Sequence, residues 1–197
     1  RTMPPVTLSP VKDDWVLVDD ANFPAEHQVY EPLAYAVFSP EWYGNNVIKT
    51  RTLPFNSHPD MSAYDHAFQL FGDTAINRVD PRVTDSNLQP YLTQYAGWLF
   101  DRTMTLYQLA FRSGEFRYFR AAHRAAQFYA SHINAAGYFD LKSSNDMKYS
   151  YGEGLLTNFM LQGDPEIPDR ISSMLPAWDS FASRYTETTN FWTERHA

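Results

Sequence analysis

Residues 91–111 constrain the chain more than any other stretch. Trp98, Leu99, Phe100, Met104, Leu106, Tyr107, Leu109 and Phe111 leave a helix no wide face for water. Such a helix belongs inside a larger body. Four residues, Arg112 to Glu115, then form a short turn in which Gly114 suits a left-handed helix end. The following stretch is amphipathic. Phe119, Ala122, Ala126, Tyr129 and Ile133 fall on one side at helical spacing, with Arg117, Arg120, Arg124, Gln127 and Ser131 on the other. The pattern over 91–133 predicts an antiparallel hairpin of one buried helix and one covering helix whose arginine face is wet.

The pattern returns. Residues 154–162 (GLLTNFMLQ) are apolar and end in Gly163-Asp164-Pro165, where Asp164 is placed to cap the next helix and Pro165 to open it. Ile171, Met174, Leu175, Trp178, Phe181 and Tyr185 then recur at steps of three and four. Asp169, Arg170, Ser173, Ser180 and Arg184 stand opposite. Gly114 and Gly163 are thus equivalent joints of two hairpins, and 98–111 and 154–162 are expected to be more buried than 116–133 and 166–185. Leu70-Phe71-Gly72-Asp73 reads as an earlier echo, after the helical pattern Met61, Tyr64, Phe68, Phe71. Residues 74–90 show no amphipathic period and read as a long ordered loop. Residues 190–196 (NFWTERH) read as the start of one more inner helix. Repeats of this length indicate a solenoid or a closed toroid.

Residues 1–60 differ in kind. Proline is dense, and short β-like runs appear at 15–18, 33–38 and 47–50 between turn residues. Residues 40–43 look like one helical turn. The chain therefore divides into an extended, partly β arm or the end of an upstream β domain (1–60) and an incomplete helical-hairpin domain (61–197). The chain opens on Arg1-Thr2-Met3 and ends within a helical pattern, which reads as an excised piece. Composition narrows the function. A hydrophobic share of 44% against 20% charged residues is that of a globular chain. A formal net charge of −7 without a basic run disfavours nucleic acid as partner. No run is long enough to cross a bilayer. Without cysteine there is no disulfide framework and no thiolate metal site. No His/Asp/Glu spacing reads as a metal site, and no phosphate-cradling glycine loop is present, so neither metal nor cofactor is expected.

Connections alternate in length. Turns from inner to outer helix are tight, whereas residues 134–150 form a long polar link back to the next inner helix. The long loops therefore share one end of the bundle, where a cleft is expected. Hairpins with short Gly-Asp turns, long loops at one end and aromatics at the inner-helix starts resemble the (α/α) toroid carbohydrate-active enzymes, which include six-hairpin glycoside hydrolases and several polysaccharide lyase families. The resemblance covers about residues 61–197. It implies a mainly α fold of hairpins forming part of a toroid, an extra β domain, a poly- or oligosaccharide partner and further domains of the same polypeptide. The chain departs from that pattern in having two complete hairpins and no Asn-His pair on an inner helix.

Candidate chemistry lies at the inner-helix starts. Asp101 and Arg102, beside Trp98, interrupt an apolar run. They read either as an internal ion pair or as charged groups facing a cavity. In residues 148–154 (KYSYGEG), Glu153 reads either as a first-turn carboxylate favoured by the helix dipole or as a general acid or base, with Tyr149 and Tyr151 as stacking or proton-transfer groups. Gly152 and Gly154 leave room there for a ligand. At the matching place in the next hairpin stand Trp192, Arg195 and His196, which share a helical face. Hydrolysis needs two carboxylates flanking the scissile bond; Asp101, Glu153 and Glu194 stand at equivalent stations of successive hairpins, and Glu153 and Asp101 are the catalytic candidates, with Tyr151 completing the set. Trp98, Arg102, Tyr149, Trp192, Arg195 and His196 are the substrate-binding candidates. Lyase chemistry needs instead a base beside a uronate carboxylate and a cation. The missing Asn-His pair makes the resemblance favour a glycoside hydrolase slightly over a lyase. A non-catalytic helical-repeat scaffold that binds glycan or protein is the alternative.

Overall fold

A computed structural model describes residues 15–18, 29–32, 34–45, 52–79 and 95–180 of the chain. Among these the protein is mainly helical. Strand β1 (Trp15–Val18) pairs antiparallel with β2 (Val29–Pro32), Trp15 opposite Pro32. A five-residue helix α1 (Pro40–Gly44) and the long α2 (Ser62–Val79) precede two hairpins. The first joins α3 (Arg102–Ser113) to α4 (Phe116–Ser131), and the second joins α5 (Glu153–Gln162) to α6 (Ile167–Asp179). Of the expected strands, 15–18 is present, its partner is 29–32 rather than 33–38, and 47–50 lies outside the described residues.

The two hairpin joints match at the glycine. Gly114 (φ 70°) and Gly163 (φ 68°) both adopt the left-handed conformation that ends a helix. The Gly114 N–H donates to the Ala110 carbonyl and the Gly163 N–H to the Phe159 carbonyl, each at 2.8 Å. Beyond the second joint the expected capping shifts. Asp164 accepts from the Glu166 N–H at 3.1 Å and forms a tight turn, so α6 starts at Ile167 with Pro168 rather than Pro165 in its first turn.

Burial departs from the inner-and-outer scheme. Helix α3 is buried on nearly all sides, as expected, but α4 is buried too, from Tyr118 through Ala130 except at Arg120. Its supposedly wet face includes Arg124 at 3% and Gln127 at 8% exposure. The reason is that α2, α5 and the N-terminal arm all pack on it. Strand β2 lies against α4, and the Tyr35 ring packs edge-on to Phe116, Phe119 and His123. Helix α5, by contrast, leaves Leu156 and Met160 exposed at 48% and 46%. The inner helix of the second hairpin is therefore less covered than the outer helix of the first.

Helix α2 also corrects an expectation. It runs on to Val79, where a loop was expected from residue 74. Gly72 is not a turn. It sits mid-helix, where a Cβ would come within 2.6 Å of the Leu109 side chain and 2.7 Å of the Tyr118 ring. The missing side chain lets α2 approach the first hairpin closely.

At the joint end of α3 a buried charge holds three segments. The Arg112 guanidinium pairs with Asp65 of α2, and its Nε donates to the Leu53 carbonyl at 2.8 Å. The second Asp65 oxygen accepts from the Asn56 N–H at 3.0 Å, and the Arg112 carbonyl accepts from the Phe55 N–H at 2.9 Å. The Phe55 ring lies 4.5 Å from the guanidinium carbon. Both charged side chains are buried, so the pair persists because its remaining lone pairs and protons are used. Asp65→Ala is expected to cost about 3–5 kcal/mol, the range for removing one partner of a buried pair. Urea unfolding checks this, and a cost below about 1 kcal/mol would mean that Arg112 finds water instead.

Candidate functional site

The starts of α3 and α5 meet at the end of the bundle that carries the long 134–150 loop. Asp101 makes the meeting. Its side chain caps α3 by accepting from the Met104 N–H at 2.9 Å, and its other oxygen accepts from the Gly154 N–H of α5 at 2.8 Å. One carboxylate thus satisfies orphan amides at two helix starts, where the dipoles favour a negative charge. The approach is close. A Cβ on Gly154 would lie 2.7 Å from the Thr103 Cβ. Glycine at 154 is therefore explained by helix contact, and the space beside Gly152 is occupied by the Trp178 ring, 2.7 Å from where a Cβ would stand. Neither glycine opens a path to a ligand, contrary to expectation.

The tyrosines of the loop are tied to the same joint. The Tyr129 hydroxyl donates to the Tyr149 carbonyl at 2.5 Å and accepts from the Tyr151 N–H at 2.7 Å. The Tyr151 hydroxyl donates to the Leu99 carbonyl. Trp98 is buried, stacked on Phe128 with centroids 5.2 Å apart, and the Arg102 guanidinium carbon lies 5.2 Å from its ring centre. Of the residues singled out in the sequence, Trp98, Arg102 and Tyr149 are buried, Asp101 and Tyr151 are half-buried, and Glu153 is exposed in the first turn of α5. Trp98, Asp101, Arg102, Tyr151 and Glu153 share one end of the bundle. Trp192, Arg195 and His196 lie outside the described residues.

Two polar arrangements escaped the sequence reading. The first fills the core between α3, α4 and α5. Asn158 Oδ1 accepts from the Tyr107 hydroxyl at 2.6 Å and lies 3.0 Å from His123 Nδ1, while His123 Nε2 lies 3.0 Å from Gln127 Nε2. Asn158, inside the apolar run GLLTNFMLQ, was the available signal, because a buried amide needs a partner. The second is His132, whose Nδ1 lies 2.6 Å from Asp140 Oδ1. The two are aligned by the bridge Ile133↔Phe139, with the Asp140 N–H donating to the His132 carbonyl at 2.8 Å. They are eight positions apart in sequence, and only the turn at 134–138 brings them together. Among the described residues no group of three or more His, Asp or Glu side chains could hold a metal ion, and no helix is long and apolar enough to cross a membrane.

The chain matches no protein-family model, no curated protein and no solved structure.

Two outcomes follow from this geometry. Asp101→Ala removes the α3 cap and leaves the Gly154 N–H without its acceptor, so it is expected to cost about 2–4 kcal/mol, the sum of a cap and an orphaned amide. Asp101→Asn keeps one acceptor and should fall between; equal stability of all three proteins in urea would contradict the joint. Alkaline pH gives the second. Burial pushes the Tyr107 and Tyr129 hydroxyls well above the usual tyrosine value of 10.0. Above about pH 10 the unfolded chain therefore releases protons that the folded protein keeps, and stability falls as pH rises. Absorbance titration should show these two tyrosines ionising only on unfolding; their ionisation in the folded state would contradict their burial.

Proposed function

We propose that this chain is part of a polysaccharide-degrading enzyme built on an (α/α) toroid, a glycoside hydrolase in preference to a lyase. The observation that supports it most is the pairing of two helical hairpins through equivalent glycine joints, with both inner helices starting at the end that carries the long loop. In this reading Glu153, exposed at that end, is the general acid or base. Asp101, at the adjoining helix start, is the second carboxylate of this reading, and its bonds to Met104 and Gly154 fix the spacing of the two helix starts. Tyr151, held by its hydroxyl to the Leu99 carbonyl, completes the set. Trp192, Arg195 and His196, outside the described residues, are the further substrate contacts of this reading.

One observation favours the alternative, a non-catalytic helical scaffold. Trp98 and Tyr149, proposed as sugar-contacting rings, are packed in the core. A reducing-sugar assay across neutral and uronic polysaccharides, run with the polypeptide that carries this chain, separates the readings. Hydrolysis releases reducing ends without ultraviolet absorbance, elimination produces an absorbing unsaturated uronate, and a scaffold produces neither. Glu153→Gln is expected to lower turnover at least about a hundredfold with unchanged folding, the low end of a general acid–base contribution. Full turnover in this variant would leave Glu153 as a first-turn carboxylate that favours the helix dipole.

A further inference from the structure

The end of the bundle away from Asp101 holds an indole in water. Helix α3 runs about 18 Å, at 1.5 Å per residue, from Asp101 to the Gly114 joint. There α1 packs on α3. Tyr43 is buried and stacked on Phe111, and its hydroxyl accepts from the Phe38 N–H at 3.2 Å. Pro40 lies against Gly114, 3.1 Å from where a Cβ would stand. These contacts fix the chain on both sides of Trp42, yet Trp42 itself is 39% exposed. Its ring is held in one orientation. Phe38 stacks on it with centroids 4.1 Å apart and planes at 19°, and Tyr43 meets it edge-on at 5.3 Å. Two more exposed rings stand at this end: Tyr64, 5.6 Å from the guanidinium carbon of Arg112 in the last turn of α3, and Phe116 in the first turn of α4. A polymer crossing the end meets rings of α1, α2 and α4.

The setting of Trp42 selects the ligand. A ring already fixed by its neighbours loses little freedom when something settles on it. Its exposed neighbours along the chain, Ser39, Glu41 and Asn45, are polar. A protein partner draws its affinity from a dry, contiguous apolar centre, which an indole among polar side chains does not supply. A sugar matches both features: its C–H face lies on the ring, and its hydroxyls reach sideways to polar groups. Charge narrows the class. Glu41 is an exposed carboxylate beside the ring, and at the start of α4 two carboxylates, Asp73 and Glu115, share the one guanidinium of Arg117 at 2.7 and 2.5 Å. A polyuronate would meet like charge here; a neutral glycan would not. We propose that the Trp42 surface binds a neutral polysaccharide, as a second contact on the polymer, remote from Glu153. The class of ligand rests on the polysaccharide reading above; the surface itself does not depend on which groups are catalytic.

Affinity electrophoresis through gels containing neutral glucan, mannan or arabinan, or a polyuronate, tests the surface on the polypeptide that carries this chain. Retention by at least one neutral polysaccharide and by no polyuronate is expected. Trp42→Ala should weaken that retention at least about tenfold, the effect of losing an anchoring ring. Trp42→Phe, which keeps a flat face, should retain most of it, and Trp42→Leu, which keeps apolar bulk without a ring, should lose it as Trp42→Ala does. Retention unchanged in Trp42→Ala, equal retention of Trp42→Leu and Trp42→Phe, retention by a polyuronate, or retention by no glycan each overturns the proposal. So does self-association that rises with protein concentration and is lost in Trp42→Ala, because a second copy then covers the ring. If Trp42→Ala loses helical circular dichroism, Trp42→Phe against Trp42→Leu decides. Turnover is measured separately on soluble oligosaccharides. Turnover without retention at Trp42 overturns this proposal alone, and retention without turnover overturns the enzymatic reading alone.

Discussion

The Asp101 carboxylate is the contact on which the arrangement of the two hairpins depends. A helix start presents amides with no partner inside the helix, and burying one without an acceptor costs about 1–3 kcal/mol. Here two helix starts are brought side by side, and one side chain with two oxygens serves both, at Met104 and at Gly154. Only a residue without a side chain lets the second helix come that close, which accounts for glycine at 154. The spacing of α3 and α5 is therefore set by polar satisfaction at one end. The Tyr107–Asn158 bond adds a second polar link further along the same interface.

At the other end of α3 a different device does the same work. Arg112 and Asp65 are removed from water together, and the surrounding carbonyls and amides complete their bonding. This fastens α2 and the 52–56 segment to the first hairpin. The arm before it acts on the far side, where Tyr35 and β2 cover α4, and Tyr43 stacks on Phe111 at 4.4 Å. The first hairpin is thus enclosed by α2, the arm and the second hairpin. Among the described residues the second hairpin is enclosed on fewer sides, and Leu156 and Met160 of α5 are exposed beside Glu153.

The hairpins, their glycine joints and the helical turn at 40–43 were legible because each rests on local signals: periodicity, a left-handed glycine, and a proline at the first position of a turn. Burial of α4 was not legible. Its arginine and glutamine face is that of a wet helix, and what covers it is tertiary: α2, α5 and an arm distant in sequence. Gly72 misled for a related reason, since a glycine used for close approach looks like a glycine used for a turn. The candidate site divides along the same line. That Asp101 and Glu153 share one end follows from hairpin order, but the use of both Asp101 oxygens on backbone amides depends on tertiary contact. The buried His123–Asn158 contact and the His132–Asp140 pair likewise join residues 35 and eight positions apart, and no spacing rule announces either.

Hydrogen exchange measured amide by amide tests the joint of the two hairpins most directly. If Asp101 fastens α3 to α5, the Met104 and Gly154 amides are protected in the native protein, open together with the same free energy, and lose protection together when Asp101 is replaced by alanine. A Gly154 amide that exchanges at the rate of an open chain while α3 remains protected would contradict the account.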